Sequence, residues 1–223
     1  MSPRDVTTSS EDYLKAIYAI EDGGGAAGTN ELAQRMGVGA TSASHMMRKL
    51  AERGWASVEP YRGARLTEEG RRVALRTMRR HRILECYLTE ALGYPWDRVH
   101  AEAERLEHAA SDALIEHMAA SLGNPVVDPH GAPIPTPDGS IVEAAHRSLA
   151  QLEVGEGARV ARVRADDADM LRYLDGLGIR PGADVIVTSS APFEGPITLL
   201  VNGVTQTIGP SLAARVGVAG RRP

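Results

Sequence analysis

Apolar positions near the start of the chain recur every three to four residues. Tyr13, Leu14, Ile17, Tyr18 and Ile20 form one such stripe and predict a first helix. Thr8 to Ser10 offer N-caps, Glu11 and Asp12 give an acidic first turn, and Asp22-Gly23-Gly24-Gly25 ends the segment. A second helix is predicted over Glu31 to Met36, capped by Thr29 or Asn30, and a third from about Thr41 to Arg53. Helix, short Gly-containing turn and helix make a helix-turn-helix. Trp55 to Glu59 then reads as a strand, Arg62-Gly63-Ala64 as a turn and Arg65-Leu66-Thr67 as the returning strand, a small β-wing.

Helical spacing resumes from Glu69 to about Leu92, is broken at Gly93-Tyr94-Pro95, and predicts one further long helix from about Trp96 to Leu122. The Pro-rich segment Val126 to Ser140 reads as an extended linker. Beyond it the texture changes to short β-rich runs: Ala158–Val163, Asp184–Thr188, Ile197–Val201, Val204–Ile208 and Ala213–Val218. A helix-like stretch, Asp166–Leu177, sits between two of them. The pattern predicts a mainly α chain with a small β domain: a winged helix-turn-helix, a helical middle part and a C-terminal barrel of SH3-like size.

The net charge of −4 argues against a nucleic-acid partner, but its distribution does not. Residues 1–82 hold 14 Lys+Arg against 10 Asp+Glu, and residues 83–223 hold 11 against 19. The basic excess is densest from Arg62 to Arg82, which points to a polyanion-binding half. The single cysteine, Cys86, excludes an internal disulfide and reads as a small core residue. No apolar run approaches the length of a membrane span, and the polar, acidic N-terminus is not a signal peptide, so a cytoplasmic protein with no membrane partner is expected.

Two constellations carry chemistry. In the third helix, Ala43, Met46, Met47 and Leu50 share a core-facing stripe. Thr41, Ser42, Ser44, His45, Arg48 and Lys49 lie opposite, where short hydroxyls reach base edges and basic groups reach the backbone, while Arg62 and Arg65 of the wing reach adjacent phosphates. The second constellation is His81 and Glu85, four residues apart, followed by His100, Glu104, Glu107 and His108. On a continuous helix the latter four would occupy one strip of roughly 100°. An apolar face of Val99, Ala103, Leu106, Ala110, Ala113 and Leu114 would lie apart from it. Oxygen and imidazole donors in this mixture suit a divalent first-row metal.

DVTTSSEDYLKAIY, the helix-turn-helix, MRRHRILE and VHAEAERLEH together resemble the diphtheria toxin repressor family of iron- and manganese-dependent regulators, and the similarity covers nearly the whole chain. The resemblance implies residues 1–75 as the DNA-binding domain, 76–145 as a helical metal-binding and dimerisation domain with the linker, and 146–223 as an SH3-like, FeoA-like domain. It implies a homodimer that binds double-stranded operator DNA and represses metal-uptake genes. It further implies a primary metal site of Asp12, Glu104, Glu107 and His108, and an ancillary site of His81, Glu85 and His100 completed by Asp166 and Asp169. Iron-type members place Met and Cys where this chain has Asp12 and Glu104. With no sulfur donor at either position, the resemblance points to Mn(II), with Fe(II) as the alternative and Co, Ni, Zn or Cd able to substitute in vitro. Short manganese-type members carry a second carboxylate where this chain has Lys15. Two rival readings are a winged-helix regulator of an organic ligand and a metalloenzyme. The chain lacks HExxH, a nucleophile motif and a phosphate-binding glycine loop, so no enzyme is expected.

Overall fold

The computed structural model describes residues 6–59, 61–142, 144–164 and 167–220. By contacts the chain divides into two compact units. The first comprises residues 1–81, 106–112 and 135–141, and the second residues 82–105, 113–134 and 142–223.

The first unit opens with α1, Thr8–Asp22, whose N-cap is Thr7, one residue before the expected caps; its side chain accepts from the backbone N–H of Ser10. The helix stops at Gly23. Tyr13, Leu14, Ile17, Tyr18 and Ile20 are all buried, as their spacing predicts. They join a core with α2, Thr29–Arg35, and α3, Ala40–Glu52. Ala43, Met47 and Leu50 bury the inner face of α3, while Met46 is only partly covered. Enclosing a side chain such as Leu50 contributes about 1.5–3 kcal/mol.

Strands β1, Ala56–Glu59, and β2, Gly63–Leu66, pair antiparallel as the wing, and an isolated bridge ties Ala64 to Ala27. That bridge requires glycine at 63: a Cβ there would sit 2.4 Å from the Ala27 carbonyl oxygen, on a backbone with φ +98°. Helix α4, Glu68–Glu90, begins after Thr67, whose hydroxyl donates to the Gly54 carbonyl and accepts the Gly70 N–H.

The expected helix from Trp96 to Leu122 is two. Helix α5, Val99–Leu106, is followed by a turn and then α6, Asp112–Ser121. The break resets the helical phase, so the expected apolar face holds only in part. Val99 and Ala103 are buried, whereas Leu106 and Leu114 are exposed. Glu107, expected off the apolar face, is instead completely enclosed.

In the second unit the Pro-rich stretch is packed rather than merely extended. Asp128, His130, Ala132 and Ile134 are buried. Asp128 Oδ1 accepts the backbone N–H groups of His130 and Ala132 at 2.8 and 2.9 Å, and His130 stacks against Trp96. The C-terminal part is an antiparallel six-stranded sheet. In chain order its strands are β3, Arg147–Ser148; β4, Gly157–Val163; β5, Asp184–Ser190; β6, Ile197–Val201; β7, Val204–Ile208; and β8, Val216–Gly220. Their spatial order is β3-β8-β4-β5-β6-β7. Register shifts at Val160/Arg162 and Val187/Ser189 bend the sheet, as bulges do. Helix α7, Ala168–Gly176, and the short α8, Pro210–Ala213, complete it. The expected last strand therefore begins later, because Pro210 and its neighbours form a helical turn. Its core runs through Leu149, Val160, Leu171, Leu174, Val185, Leu199 and Val218.

Among the described residues no helix is long and apolar enough to cross a membrane. Cys86 is buried, and burial, joined by the negative charges of Asp128, Glu90 and Glu85, pushes its thiol up to about 12. The folded protein at pH 8 is therefore expected to leave an aromatic disulfide reagent unconsumed, and to consume one equivalent once unfolded in denaturant. Rapid reaction of the native protein would contradict this burial.

Candidate metal centres and nucleic-acid face

Asp12 lies in the first turn of α1, and Glu107 and His108 follow the end of α5. Because α5 ends at Leu106, these two are presented by a turn, not by the continuous helical strip expected from sequence. The turn turns Glu107 inward and sets His108 against the start of α1. One ligand-capable atom each from Asp12, Glu107 and His108 lies within 4.8 Å of the others.

His108 is held from behind. Its Nδ1 is 2.6 Å from Glu11 Oε2, and the other Glu11 oxygen accepts from Arg80 at 2.6 Å. With Nδ1–H donated to that carboxylate, Nε2 presents a lone pair. That atom faces Asp12 Oδ1 at 2.9 Å and Glu107 Oε1 at 3.3 Å. Asp12 Oδ1 is buried and has no hydrogen-bond partner. A buried carboxylate oxygen opposite an imidazole lone pair is an arrangement of acceptors that a cation reconciles, so these residues fit a divalent metal.

Glu107 is the most enclosed member. Its Oε1 accepts from Lys15 Nζ at 2.5 Å, and its Oε2 lies 2.5 Å from His81 Nδ1. Burial alone would raise its pKa, but the His81 hydrogen bond and charge, with those of Lys15, outweigh it and hold the carboxyl below its ordinary range. Asp12 moves the other way. Burial raises it, Glu107 adds to the rise, and His108 and Lys15 oppose it without cancelling it.

Glu104, expected in the same set, is not in that group of three. It is exposed and lies 3.6 Å from His100 Nε2. His81 and Glu85 stand one turn apart on α4 as expected, and His81 is engaged by Glu107. In the second unit Glu85 Oε1 is 3.0 Å from His100 Nδ1, while its Oε2 faces His130 Nδ1 at 3.9 Å. Glu85, Asp128 and His130 form another group able to hold a metal. Burial and the Glu85 charge raise Asp128. His130 is raised because Glu85 and Asp128 outweigh the opposing effect of burial. Asp169 lies exposed in the first turn of α7, paired with Arg172. Asp166 lies outside the described residues.

Sequence reasoning assigned no site role to Glu11, Arg80, Asp128 or His130. The first two act across 97 and 69 residues of separation, which no local spacing reveals. Asp128-Pro129-His130 did offer a signal: two ligand-type residues inside a segment read only as linker.

On α3, Thr41, Ser42, His45 and Arg48 are exposed, and Ser44 and Lys49 half-buried. Arg62 and Arg65 are exposed on the wing, Arg62 loosely paired with Glu59 at 3.3 Å. Such an exposed pair is weak and leaves the guanidinium available.

A helix-turn-helix with a basic outer face, in one unit with a carboxylate–imidazole site, defines a ligand-responsive DNA-binding protein. Comparisons narrow this to one family. Residues 5–64 match the iron dependent repressor N-terminal DNA binding domain, residues 67–136 the iron dependent repressor metal binding and dimerisation domain, and residues 147–219 the FeoA domain. The chain is 32% identical over 212 residues to the iron-dependent repressor IdeR of Mycobacterium leprae, covering 89% of this chain and 91% of that one. It is similar to a solved manganese-dependent transcriptional repressor in complex with manganese, with TM-score 0.86 and 39% identity over 95% of this chain and all of that one. It is also similar to IdeR of T. acidophilum, with TM-score 0.78 and 30% identity over 98% of this chain and all of that one. The chain belongs to the diphtheria toxin repressor family of metal-dependent transcriptional repressors. Its C-terminal sheet is the SH3-like domain of that fold.

The depressed Glu107 pKa has a defined consequence for the metal-free protein. A carboxyl lowered on folding contributes stability that is full above its unfolded pKa, near 4.5, and lost as pH falls through the lower folded value. Glu107→Gln is therefore expected to lower the stability of chelator-treated protein at neutral pH by roughly 3 kcal/mol, since it strands Lys15 and His81. Denaturant titrations should show that deficit shrinking below pH 4.5. A deficit that stayed constant into acid would show that charge is not its origin.

Proposed function

We propose that this chain is a Mn(II)-activated repressor that binds a palindromic double-stranded operator as a homodimer and controls metal-uptake genes in the cytoplasm. The observation that carries this reading is the convergence of Asp12 Oδ1, Glu107 Oε1 and His108 Nε2. Residues 1–75 serve as the DNA-binding domain, 76–145 as the metal-binding and dimerisation domain and 146–223 as the FeoA-like domain.

Asp12, Glu107 and His108 would hold the activating metal, with Glu104 as a further ligand taken from the family resemblance. A divalent metal supplies the positive charge that lets these acceptors share one small space. Its partners then include the first turn of α1, and α1 packs in one core with α3. Holding α1 thus biases the placement of Thr41, Ser42, Ser44, His45, Arg48 and Lys49 on the operator, with Arg62 and Arg65 on flanking phosphates. A ligand shifts such an equilibrium only by binding the DNA-competent arrangement better, so metal and operator affinities are reciprocally linked. Glu85 and His100, with His81, form the proposed ancillary site. Asp166 and Asp169 are its proposed C-terminal ligands, and Asp169 would exchange its Arg172 partner to serve.

Oxygen and imidazole donors without sulfur suit Mn(II), and the structural relative at 39% identity is manganese-dependent by name. An Fe(II)-responsive regulator is the second reading, favoured by the iron-dependent names of the curated relatives. Co, Ni, Zn or Cd would substitute in vitro, and ScaR, a structural relative, is known with Cd2+ and Zn2+ bound.

Metal-free protein is expected to bind operator DNA poorly, and Mn(II) to strengthen binding by more than about tenfold, or ~1.4 kcal/mol. Asp12→Ala and His108→Ala should abolish that response. The measurement is an operator titration with each metal, anaerobic for Fe(II), with a chelator control. Equal affinity with and without chelator would sink the reading, and a response to Fe(II) but not Mn(II) would favour the second.

A further inference from the structure

Glu107 has more cationic company than a metal ligand needs. Lys15 Nζ touches Oε1, the oxygen that also faces His108 Nε2 at 3.3 Å, and His81 takes Oε2. The Glu107 side chain is 0% exposed and that of Lys15 only 19%. An ammonium withdrawn so far from water is tolerated only against an anion. Lys15 follows Asp12 by three residues on α1, so the two side chains leave the same side of that helix. Each approaches Glu107 or its neighbour His108.

We propose that the Lys15 ammonium fills the place beside Glu107 that a second divalent cation would otherwise take, so that this centre holds a single metal ion. The proposal rests on the metal-activated reading above. Charge balance within the first unit supports it. Glu11, Asp12 and Glu107 bring three negative charges, Lys15 and Arg80 two positive ones, while Arg76 pairs with Asp112 and adds nothing. With neutral imidazoles the cluster is left one charge negative. One dication reverses it by a single unit, whereas two would leave three uncompensated positive charges in an enclosed space, which desolvation opposes. Lysine also occupies Glu107 Oε1 itself, so an incoming metal must share or displace that contact. A carboxylate at position 15 would reverse both effects, adding an oxygen donor and removing the competing cation.

The test counts metal instead of repression. Full-length protein is equilibrated with Mn(II), bound Mn(II) per chain is measured after dialysis, and electron paramagnetic resonance reads spin coupling between close ions. Wild type should bind one Mn(II) more than His108→Ala, without coupling. Lys15→Glu should bind one more than wild type and show a coupled pair. Lys15→Met should keep the wild-type count and bind that ion about tenfold more tightly, having lost one repelling charge. A coupled pair in wild type, or a folded Lys15→Glu that takes up no extra Mn(II), would overturn the proposal and leave the metal reading standing. If Lys15→Glu does not fold, Lys15→Met decides, and unchanged affinity overturns the proposal. Equal counts in wild type and His108→Ala would instead remove the metal reading itself and this proposal with it.

Discussion

The first unit depends on a carboxylate that water does not reach. Glu107 is anchored by Lys15 from α1 and by His81 from α4, so one side chain joins three segments far apart in sequence. Burying an anion is costly, and this one is stable only because every face meets a cation or a proton donor. Its position fixes the others: His108 is its neighbour in the turn, and His108 reaches both carboxylates of the first turn of α1. The electrostatics that hold the metal-free unit together are thus the same groups that would receive a metal. Structure and responsiveness share one set of atoms.

Much of the fold was legible because period and punctuation are local properties. The α1 stripe, the buried face of α3, the wing and most C-terminal strands appear where the pattern placed them. The failures have a common physical origin. The run from Trp96 to Leu122 has no proline or glycine, so nothing local marks the break after Leu106. It is imposed by tertiary demand, the enclosure of Glu107. That same break dissolves the helical strip on which His100, Glu104, Glu107 and His108 were aligned. The strip selected Glu107 and His108, but the structure presents them by a turn.

The site was legible by residue type and less so by role. Asp12, Glu107 and His108 converge, yet the groups that orient them, Glu11, Lys15 and Arg80, were invisible as partners because a hydrogen bond across 92 or 97 residues leaves no periodic trace. The linker shows the opposite case. Pro-rich composition predicted extended, exposed chain, but Asp128 folds it back by accepting two backbone N–H groups and so buries His130. Composition describes what a segment tolerates, and a single well-placed acceptor decided what it does.

Among the three helices of the DNA-binding end, only α1 is closed at its start by a side chain, Thr7. Helices α2 and α3 begin at glycines, Gly28 and Gly39, which make no side-chain cap. Each thereby forgoes a few tenths to about 1 kcal/mol of self-sufficient stability. At 7 and 13 residues they are also short for helices standing alone in water. Their order is therefore borrowed from α1 through Leu14, Ile17, Leu32 and Leu50. A reader element that owns little stability of its own follows whichever element lends it, and the lender here is the helix that carries Asp12.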